Sequence, residues 1–467
     1  MTELARKLGL ADSVYLVIGS VFGSGIFLTT GLIAADLPSP SLIWLVWLIG
    51  GGLTLFGAMT YAELGTMFPG AGGPYVYLRE AYGDGAAFLY GWTFFWIIGS
   101  AGIAALAMGF AEYFGSLVPG LSLSRPIVAA SVGPVSFSLS AGHLVAIGAV
   151  AALSVMNCFG VQSGARFQNG MVILRLAALA AFLVLGVLVG AKPGTANLSP
   201  FLPRGSLPAV PAFGAALLAV LWTYDGWYSV SCTAEEVRDP RRNLPRALVL
   251  GTLVVAGLYL AANVVYSLAL PVDRMRGIVR IGEAAAASLF GPGAGRLFSV
   301  LVAAATLGCL SANILFSPRV AFAMARDGLF FRRLAFVHPR YRVPTTAILA
   351  QLAWSGLLCF TGTYQSLIEF VTFVLVLFFA ATGFAVIVLR RKDPGRERPY
   401  RVRGYPWLPG LYILVNAVIL VSVLFSRPVQ ALAGAGFVLA GVPAYYAWSA
   451  RRRRMRSAAP EAQGERR

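Results

Sequence analysis

Two short runs of glycine, serine and aspartate interrupt long apolar stretches and carry the chemistry that this sequence offers. The first is GSVFGSGIF at residues 19–27, inside an apolar run from Ser13 to Ala35. The second is Asp225-Gly226, inside the apolar run 211–234. A glycine within a helix costs up to about 1 kcal/mol relative to alanine. Three glycines and two serines in seven residues therefore predict a break in the first helix.

A broken helix offers binding groups for small ions. The N–H groups at the start of its second half, with the positive end of the helix dipole, suit an anion, and the carbonyls that end its first half suit a cation. At membrane depth such backbone persists only where protein or a water-filled cavity surrounds it. The alternative is that Gly19-x-x-x-Gly23 serves only helix packing. The second break at Asp225 favours a paired substrate site at the midplane of a bilayer.

The composition is that of a membrane protein. Of 467 residues, 58% are apolar and 12% are charged, whereas soluble domains carry about 25% charged residues. Each long apolar run can cross a hydrocarbon core of roughly 30 Å. We predict twelve spans, near residues 13–35, 41–67, 84–114, 139–159, 167–190, 211–234, 246–270, 294–325, 344–361, 365–389, 407–425 and 429–449.

The positive charge of this chain is arranged by side of the membrane. If successive spans cross the membrane in opposite directions, 27 of the 37 lysines and arginines fall on one side of the membrane and 8 on the other. This asymmetry predicts that both termini are cytoplasmic. The formal net charge of +18 thus reflects topology and some attraction to lipid head groups, and we expect no nucleic-acid partner.

The two interrupted spans divide the chain into repeats. Spans 1 and 6 each open a group of five, and because five is odd the two groups run in opposite directions through the membrane. We predict an all-α membrane protein with a 5+5 inverted repeat, broken helices 1 and 6, and two additional helices. The expected divisions are 1–12 (cytoplasmic N-terminus), 13–190 (first repeat), 191–210 (extracytoplasmic loop), 211–389 (second repeat), 390–406 (cytoplasmic loop), 407–449 (two helices) and 450–467 (basic cytoplasmic tail).

Other chemistry is not indicated by the sequence. The four cysteines fall in or at the ends of spans and are expected to be packing residues. His143 and His338 form no ligand pair, so we predict no metal. No lysine follows a glycine, which excludes a Walker A loop, and we expect no cofactor and no enzymatic reaction. Glu63 is expected to pair with a cytoplasmic arginine, and the charged loop 235–245 is expected to be a solvated latch.

Several motifs in order along the chain resemble those of one family. The sequence is similar to the amino acid–polyamine–organocation superfamily, in particular its L-type amino-acid transporter branch. The matching stretches are GSVFGSGIF (19–27), YAELGT (61–66), GGPYVYL (72–78), YDGW (224–227), EEVRDPRRNLP (235–245), SPRV (317–320), ARDG (325–328) and RPYRV (398–402).

The resemblance implies a carrier for amino acids and a place for its substrate. It implies that the substrate carboxylate binds N–H groups of Ser24, Gly25 and Ile26. Its ammonium would face carbonyls of Val21, Trp222 and Asp225. Trp222 matches an aromatic residue that covers the substrate from outside and acts as a gate; an ordinary core aromatic is the alternative.

Two departures from the family pattern matter. The animal members carry a cysteine in the outer loop after span 3 that bonds to a glycoprotein subunit, but residues 115–138 contain none, so we expect no disulfide-linked partner. The branch commonly has lysine where this chain has Arg175. We expect this residue roughly 13 Å deeper in the membrane than Arg166, at 1.5 Å per residue.

A charge at the depth of Arg175 needs partners. We expect backbone carbonyls freed at the span 1 break, or the Asp225 carboxylate. Arginine effectively never loses its proton, whereas a desolvated lysine can. We therefore expect Arg175 to act as a fixed substitute for a sodium ion, in a carrier that needs neither sodium nor a proton on this residue. A purely structural tie is the alternative.

The sequence thus predicts a carrier of α-amino acids in a bacterial inner membrane, working by alternating access as an exchanger or facilitator. A proton-coupled carrier, or one for polyamines and other organic cations, is the nearest rival. A cation without a carboxylate would not need the donors of the span 1 break. A rival of another class is an amino-acid sensor that does not transport, which would need an output domain that the sequence does not reveal.

Overall fold

A computed structural model describes residues 3–123, 126–132, 135–194, 196–203, 210–361, 364–426 and 428–457. The described helices are α1 Leu10–Val21, α2 Thr29–Ile33, α3 Pro40–Met67, α4 Pro74–Tyr82, α5 Asp84–Thr93, α6 Gly99–Leu117, α7 Ala141–Cys158, α8 Val161–Gly194, α9 Val210–Thr223, α10 Ser229–Cys232, α11 Pro240–Ala269, α12 Val272–Met275, α13 Ile281–Phe290, α14 Pro292–Phe316, α15 Pro318–Arg326, α16 Thr345–Thr361, α17 Tyr364–Lys392, α18 Trp407–Ser426 and α19 Pro428–Ser457. Strands β1 Pro126–Val132 and β2 Val135–Ser140 form an antiparallel hairpin.

The fold is that of an all-α membrane protein, as the hydropathy predicts. Ten helical segments of the described chain are long and apolar enough to cross a membrane. Spans 6 and 9 of the sequence prediction correspond to the shorter apolar helices Ala212–Thr223 and Thr345–Phe360. The count of twelve therefore remains a prediction. Span 6 is short because α9 stops at the break instead of continuing to residue 234.

The first broken span lies at the centre of the helix assembly. Helix α1 packs against α8, α11 and α14, and α11 in turn packs against α3. This surrounds the irregular backbone after Val21 with other helices. Polar backbone that lacks helical partners is thereby kept away from lipid, as membrane-embedded structure requires.

Several segment boundaries differ from the prediction. Helix α17 continues to Lys392 and α19 to Ser457, so the start of the 390–406 loop and of the basic tail is helical. The runs of arginine there are good helix formers and extend helices beyond the apolar stretch. The outer segment after α6 contains the β1–β2 hairpin. Residues 204–209 of the predicted 191–210 loop and residues 458–467 of the tail lie outside the described residues.

The charged loop 235–245 is only in part the solvated latch that we expected, since Arg238, Asp239, Arg241 and Arg242 are exposed but Glu236 is not. Glu236 is buried and forms a two-contact ion pair with the buried Arg319, at 2.8 Å (Nε to Oε2) and 3.0 Å (Nη2 to Oε1). The carbonyl of Glu236 also accepts hydrogen bonds from the N–H groups of Lys7 and Leu8. The Glu236 carboxylate, four residues beyond the end of α10, is thus buried by its pairing with Arg319, and the sequence pattern does not show that the two residues meet.

Glu63 behaves as expected. Its two carboxylate oxygens accept from Nε and Nη2 of Arg390 at 2.8 and 2.7 Å, and Oε2 also accepts from the N–H of Val402 at 2.8 Å. The side chain is 1% exposed. The pairing with Arg390, at the end of α17, confirms that Glu63 pairs with an arginine.

Candidate functional site

The first helix breaks where the glycines and serines predict it. Helix α1 ends at Val21, and the chain resumes with a single 3-10 turn, Gly25–Phe27, before α2. In the described structure the N–H groups of Ser24, Gly25 and Ile26 have no backbone acceptor, whereas the next two donate to Ser24 and Gly25. Three consecutive free donors are the arrangement that an anion such as a carboxylate requires.

The second break lies directly against the first. Helix α9 ends at Thr223 and α10 begins at Ser229. Gly226 between them has φ 99°, and a side-chain carbon there would come within 2.6 Å of the carbonyl oxygen of Ser20. The Ser20 hydroxyl donates to the carbonyl of Gly226 at 2.8 Å. Glycine is therefore required at this position both by its backbone angle and by the close approach of the two chains.

A tyrosine that the sequence analysis did not identify connects the two breaks. The hydroxyl of Tyr259, on α11, lies 3.0 Å from the carbonyl oxygen of Val21 and 3.4 Å from that of Thr223. The Val21 carbonyl also accepts from the N–H of Gly23 at 2.8 Å. A substrate ammonium at Val21 must therefore replace one of these two donors in this conformation.

A cavity of about 80 Å³ lies between the two breaks. It brings together five of the predicted site residues: Val21, Ser24, Gly25, Trp222 and Asp225. Further walls come from α6, the π-helical turn before it, α14 and one residue of α17, and they include Phe94, Gly102, Cys309, Asn313 and Val371. Ile26 is fully buried and does not line the cavity. The contribution predicted for Ile26, a backbone N–H at the substrate site, therefore stays a prediction.

Asp225 places a carboxylate at this cavity. Its Oδ1 atom is buried and has no hydrogen-bond partner among the described residues. The backbone N–H of Asp225 donates to the carbonyl of Trp222 at 3.0 Å. A buried carboxylate oxygen without a donor is costly, so the arrangement is suited to receive a hydrogen-bond donor or a cation from a ligand.

Arg175 does not line the cavity but lies behind the first break. It is 0% exposed, and its Nη1 donates to the carbonyls of Phe22 at 2.7 Å and Ala305 at 2.9 Å. Its guanidinium carbon lies 5.4 Å from the centre of the Phe22 ring. Within the described residues no ion pair joins Arg175 to Asp225. We expected either a backbone carbonyl of the first break or the Asp225 carboxylate as the partner of Arg175. The structure shows the first of these, the carbonyl of Phe22.

Cys309 and two threonines also join the broken spans to their neighbours. The Cys309 thiol lies 3.0 Å from the carbonyl oxygen of Ser20, and the hydroxyls of Thr29 and Thr223 are 2.7 Å apart. All three residues were absent from the sequence-based site. Cysteine and threonine are common where helices pack, so the sequence alone does not mark these residues. Only the structure shows that they lie beside the helix breaks.

Comparison with known proteins agrees with this architecture. The model of a family described as amino acid permease matches residues 8–448. The chain is 34% identical over 457 residues to the serine/threonine exchanger SteT of Bacillus subtilis, covering 96% of this chain and 98% of that protein. It is 30% identical over 446 residues to the human large neutral amino acids transporter small subunit 2, covering 95% and 80%. It is 27% identical over 450 residues to the human b(0,+)-type amino acid transporter 1, covering 95% and 88%.

These relatives are transporters and not enzymes, and they share nearly the full length of this chain. The family model spans both broken helices and the Glu63–Arg390 and Glu236–Arg319 ion pairs. The chain belongs to the amino acid permease family and is a multi-pass membrane transporter of amino acids.

Proposed function

We propose that this protein exchanges small neutral α-amino acids across the membrane by alternating access, with the substrate held between the two helix breaks. The observation that carries this proposal is a cavity lined by Ser24 and Gly25, whose N–H groups have no backbone acceptor, and by Asp225, whose Oδ1 has no partner among the described residues. A zwitterion carries the matching pair of charges. No bond is made or broken during transport.

The two ends of the substrate backbone would bind to different spans. The carboxylate would accept hydrogen bonds from the N–H groups of Ser24, Gly25 and Ile26, where the helix dipole also favours negative charge. The ammonium would lie beside the Asp225 carboxylate and donate to the carbonyls of Trp222 and Asp225, and to that of Val21 once one of its present donors moves away. An organic cation without a carboxylate would leave the three N–H groups unsatisfied, which disfavours a polyamine carrier.

Two observations favour a small substrate. The cavity of about 80 Å³ is well below the roughly 300–1,000 Å³ of pockets for larger ligands. One relative of this chain is named a serine/threonine exchanger. A second candidate, exchange of large neutral amino acids, follows from the name of another relative and would require the walls at Phe94 or Trp222 to move outward.

Trp222 is proposed as the gate. Its side chain borders the substrate cavity on one face and, on the other, a second cavity of about 40 Å³ between α3, α9, α17 and α18. An indole placed between two cavities has free space toward which it can turn. Movement of Trp222 would open the substrate site without breaking either helix further.

Arg175 is proposed as a fixed replacement for a transported cation. Its charge is buried behind the first break. Its guanidinium donates a hydrogen bond to the carbonyl of Phe22, in the place where a bound sodium ion would coordinate that oxygen. Since arginine does not release its proton, transport would depend neither on sodium nor on proton transfer at this residue. Transport would then be exchange or facilitated diffusion, driven by the amino-acid gradients themselves.

The location and assembly of the protein are also proposals. We infer a bacterial inner membrane, supported by the Bacillus relative, with both termini in the cytoplasm, supported by the charge asymmetry. We further infer that no glycoprotein subunit is attached by a disulfide, because residues 115–138 contain no cysteine.

Transport by purified protein in liposomes tests the proposal. A panel of labelled amino acids would be offered to vesicles with and without internal unlabelled amino acid. We expect uptake of serine, threonine or alanine that needs internal amino acid. Equal uptake by empty vesicles would indicate facilitated diffusion, and binding without any uptake would indicate a sensor.

A further inference from the structure

Next to Arg175 lies a buried amide that the mechanism above does not use. Gln168, on the same helix α8, is 1% exposed, and neither its Oε1 nor its Nε2 has a hydrogen-bond partner among the described residues. Arg175 has the same deficit at Nε and Nη2. Buried polar atoms without partners are rare in folded proteins, and each one requires an explanation.

The two side chains meet over one glycine of the first broken span. They are seven residues apart on α8, two helical turns, and so share a face. A side-chain carbon at Gly19 would overlap Nε2 of Gln168 and would lie 3.0 Å from Nη2 of Arg175. Gly19 therefore leaves the space that the amide occupies, and the amide end and the guanidinium lie close together there.

A half-turn of the amide pairs its oxygen with the Arg175 guanidinium. The oxygen and nitrogen of a glutamine side chain exchange places when its last torsion turns by 180°, and the hydrogen-bond network decides between the two orientations. After this turn, Oε1 lies beside Gly19 and can accept from Nη2 of Arg175. Hydrogen bonds to a charged donor are stronger than neutral ones.

The position of Gln168 on its helix argues for this role over simple packing. The residues of α8 on the same face are Val161, Ala165 and Val172, all apolar and buried. Gln168 and Arg175 are the polar members of this face. An apolar side chain would fill the site without the cost of burying an amide, so the amide is explained by the charge that it faces.

We propose that Gln168 is a positioning residue, which orients the Arg175 guanidinium and through it the carbonyl of Phe22 in the span 1 break. Nη1 of Arg175 holds that carbonyl at 2.7 Å. The other side of the guanidinium is held by Gln168, so the arginine cannot turn away from the break. This inference rests on the role proposed above for Arg175 in transport.

The test compares Gln168→Leu and Gln168→Glu in exchange assays. Leucine removes the acceptor, and we expect the maximal exchange rate to fall about tenfold, with a melting temperature close to that of the native protein. Glutamate keeps an acceptor for Nη2, and we expect a rate within about threefold of native. Gln162→Leu, at an exposed position at the start of α8, is the matched control and should behave as native.

Two further variants keep the test decisive. In an Arg175→Ala background, Gln168→Leu should cause no additional loss, because its effect acts through the arginine. If Gln168→Leu does not fold, Gly19→Ala replaces it: the added methyl displaces the amide from Arg175, and we expect the same tenfold loss.

The outcomes separate this inference from the proposed function. A native exchange rate in Gln168→Leu, or a Gln168→Glu variant as slow as Gln168→Leu, would overturn the positioning role. So would an additional loss in the Arg175→Ala background. A native rate in Arg175→Ala would instead remove the role of the arginine, and a native protein that exchanges no amino acid would remove the proposed function itself.

Discussion

Substitution of Gly25 perturbs the proposed carboxylate site at the point where the two broken spans touch. A side-chain carbon at this position would lie 2.7 Å from Cγ2 and 3.1 Å from Oγ1 of Thr223. These atoms belong to the end of α9, so the collision pushes the first break away from the second. Gly25→Ala adds one methyl group, and Gly25→Val adds a larger, β-branched side chain that is also stiff.

The size of the effect follows from the cost of overpacking. Inserting a methyl group into a well-packed site costs about 1–3 kcal/mol. The empty protein can relieve this strain by separating the breaks, whereas the bound state needs them together. If the whole cost opposes binding, affinity for the amino acid falls about 5- to 150-fold. Gly25→Val should lie at or beyond the upper end of this range.

Equilibrium binding of labelled amino acid to purified protein measures the prediction. Gly52→Ala is the matched control, because a side-chain carbon at Gly52 meets no atom within 4 Å. We expect native affinity in Gly52→Ala and correct membrane insertion in all three variants. Native affinity in Gly25→Val would refute the reasoning, since the carboxylate would then bind elsewhere.

Three other predictions concern the Trp222 gate, the Glu236–Arg319 ion pair and the coupling of transport to ion gradients. Trp222→Ala should slow exchange more than it weakens equilibrium binding; equal losses would indicate a packing residue or a direct ligand contact. Arg319→Leu leaves Glu236 buried without its partner and should destabilise the protein by about 3–5 kcal/mol. Its melting temperature should be lower than that of the variant in which both residues are replaced by leucine. In liposomes, neither a pH gradient nor a sodium gradient should drive amino-acid accumulation by the native protein. A pH gradient should drive accumulation by Arg175→Lys, because a buried lysine can release its proton. Accumulation by the native protein would contradict the uncoupled mechanism.

The sequence was informative about the breaks because their cause is local. Glycine and serine weaken a helix wherever they occur, so residues 19–27 and Asp225-Gly226 could be identified without knowledge of the fold. The membrane class and the fold follow from hydropathy in the same way. The pairing of Glu63 was predictable in kind, since a buried carboxylate needs a cation, although the sequence did not identify Arg390 as its partner.

Features that depend on long-range contacts could not be predicted. Tyr259 is one of two tyrosines in the apolar run of α11, and only folding places its hydroxyl at both breaks. Glu236 was assigned to solvent because its neighbours in sequence are charged, yet it is buried against Arg319, 83 positions later. For Arg175 we expected one of two partners, a carbonyl of the first break or the Asp225 carboxylate. It pairs with the Phe22 carbonyl because of the way α8 is rotated against α1, which the sequence does not reveal.

The central claim is that one ligand must carry both an α-carboxylate and an α-ammonium group to bind between the breaks. Competition against labelled amino-acid exchange tests it most directly, with three competitors of equal side chain: serine, its decarboxylated amine and its deaminated acid. We expect serine to compete strongly, and the amine and the acid, at the same concentration, not to compete. Competition by the amine as strong as that by serine would contradict the carboxylate site and favour a carrier of organic cations.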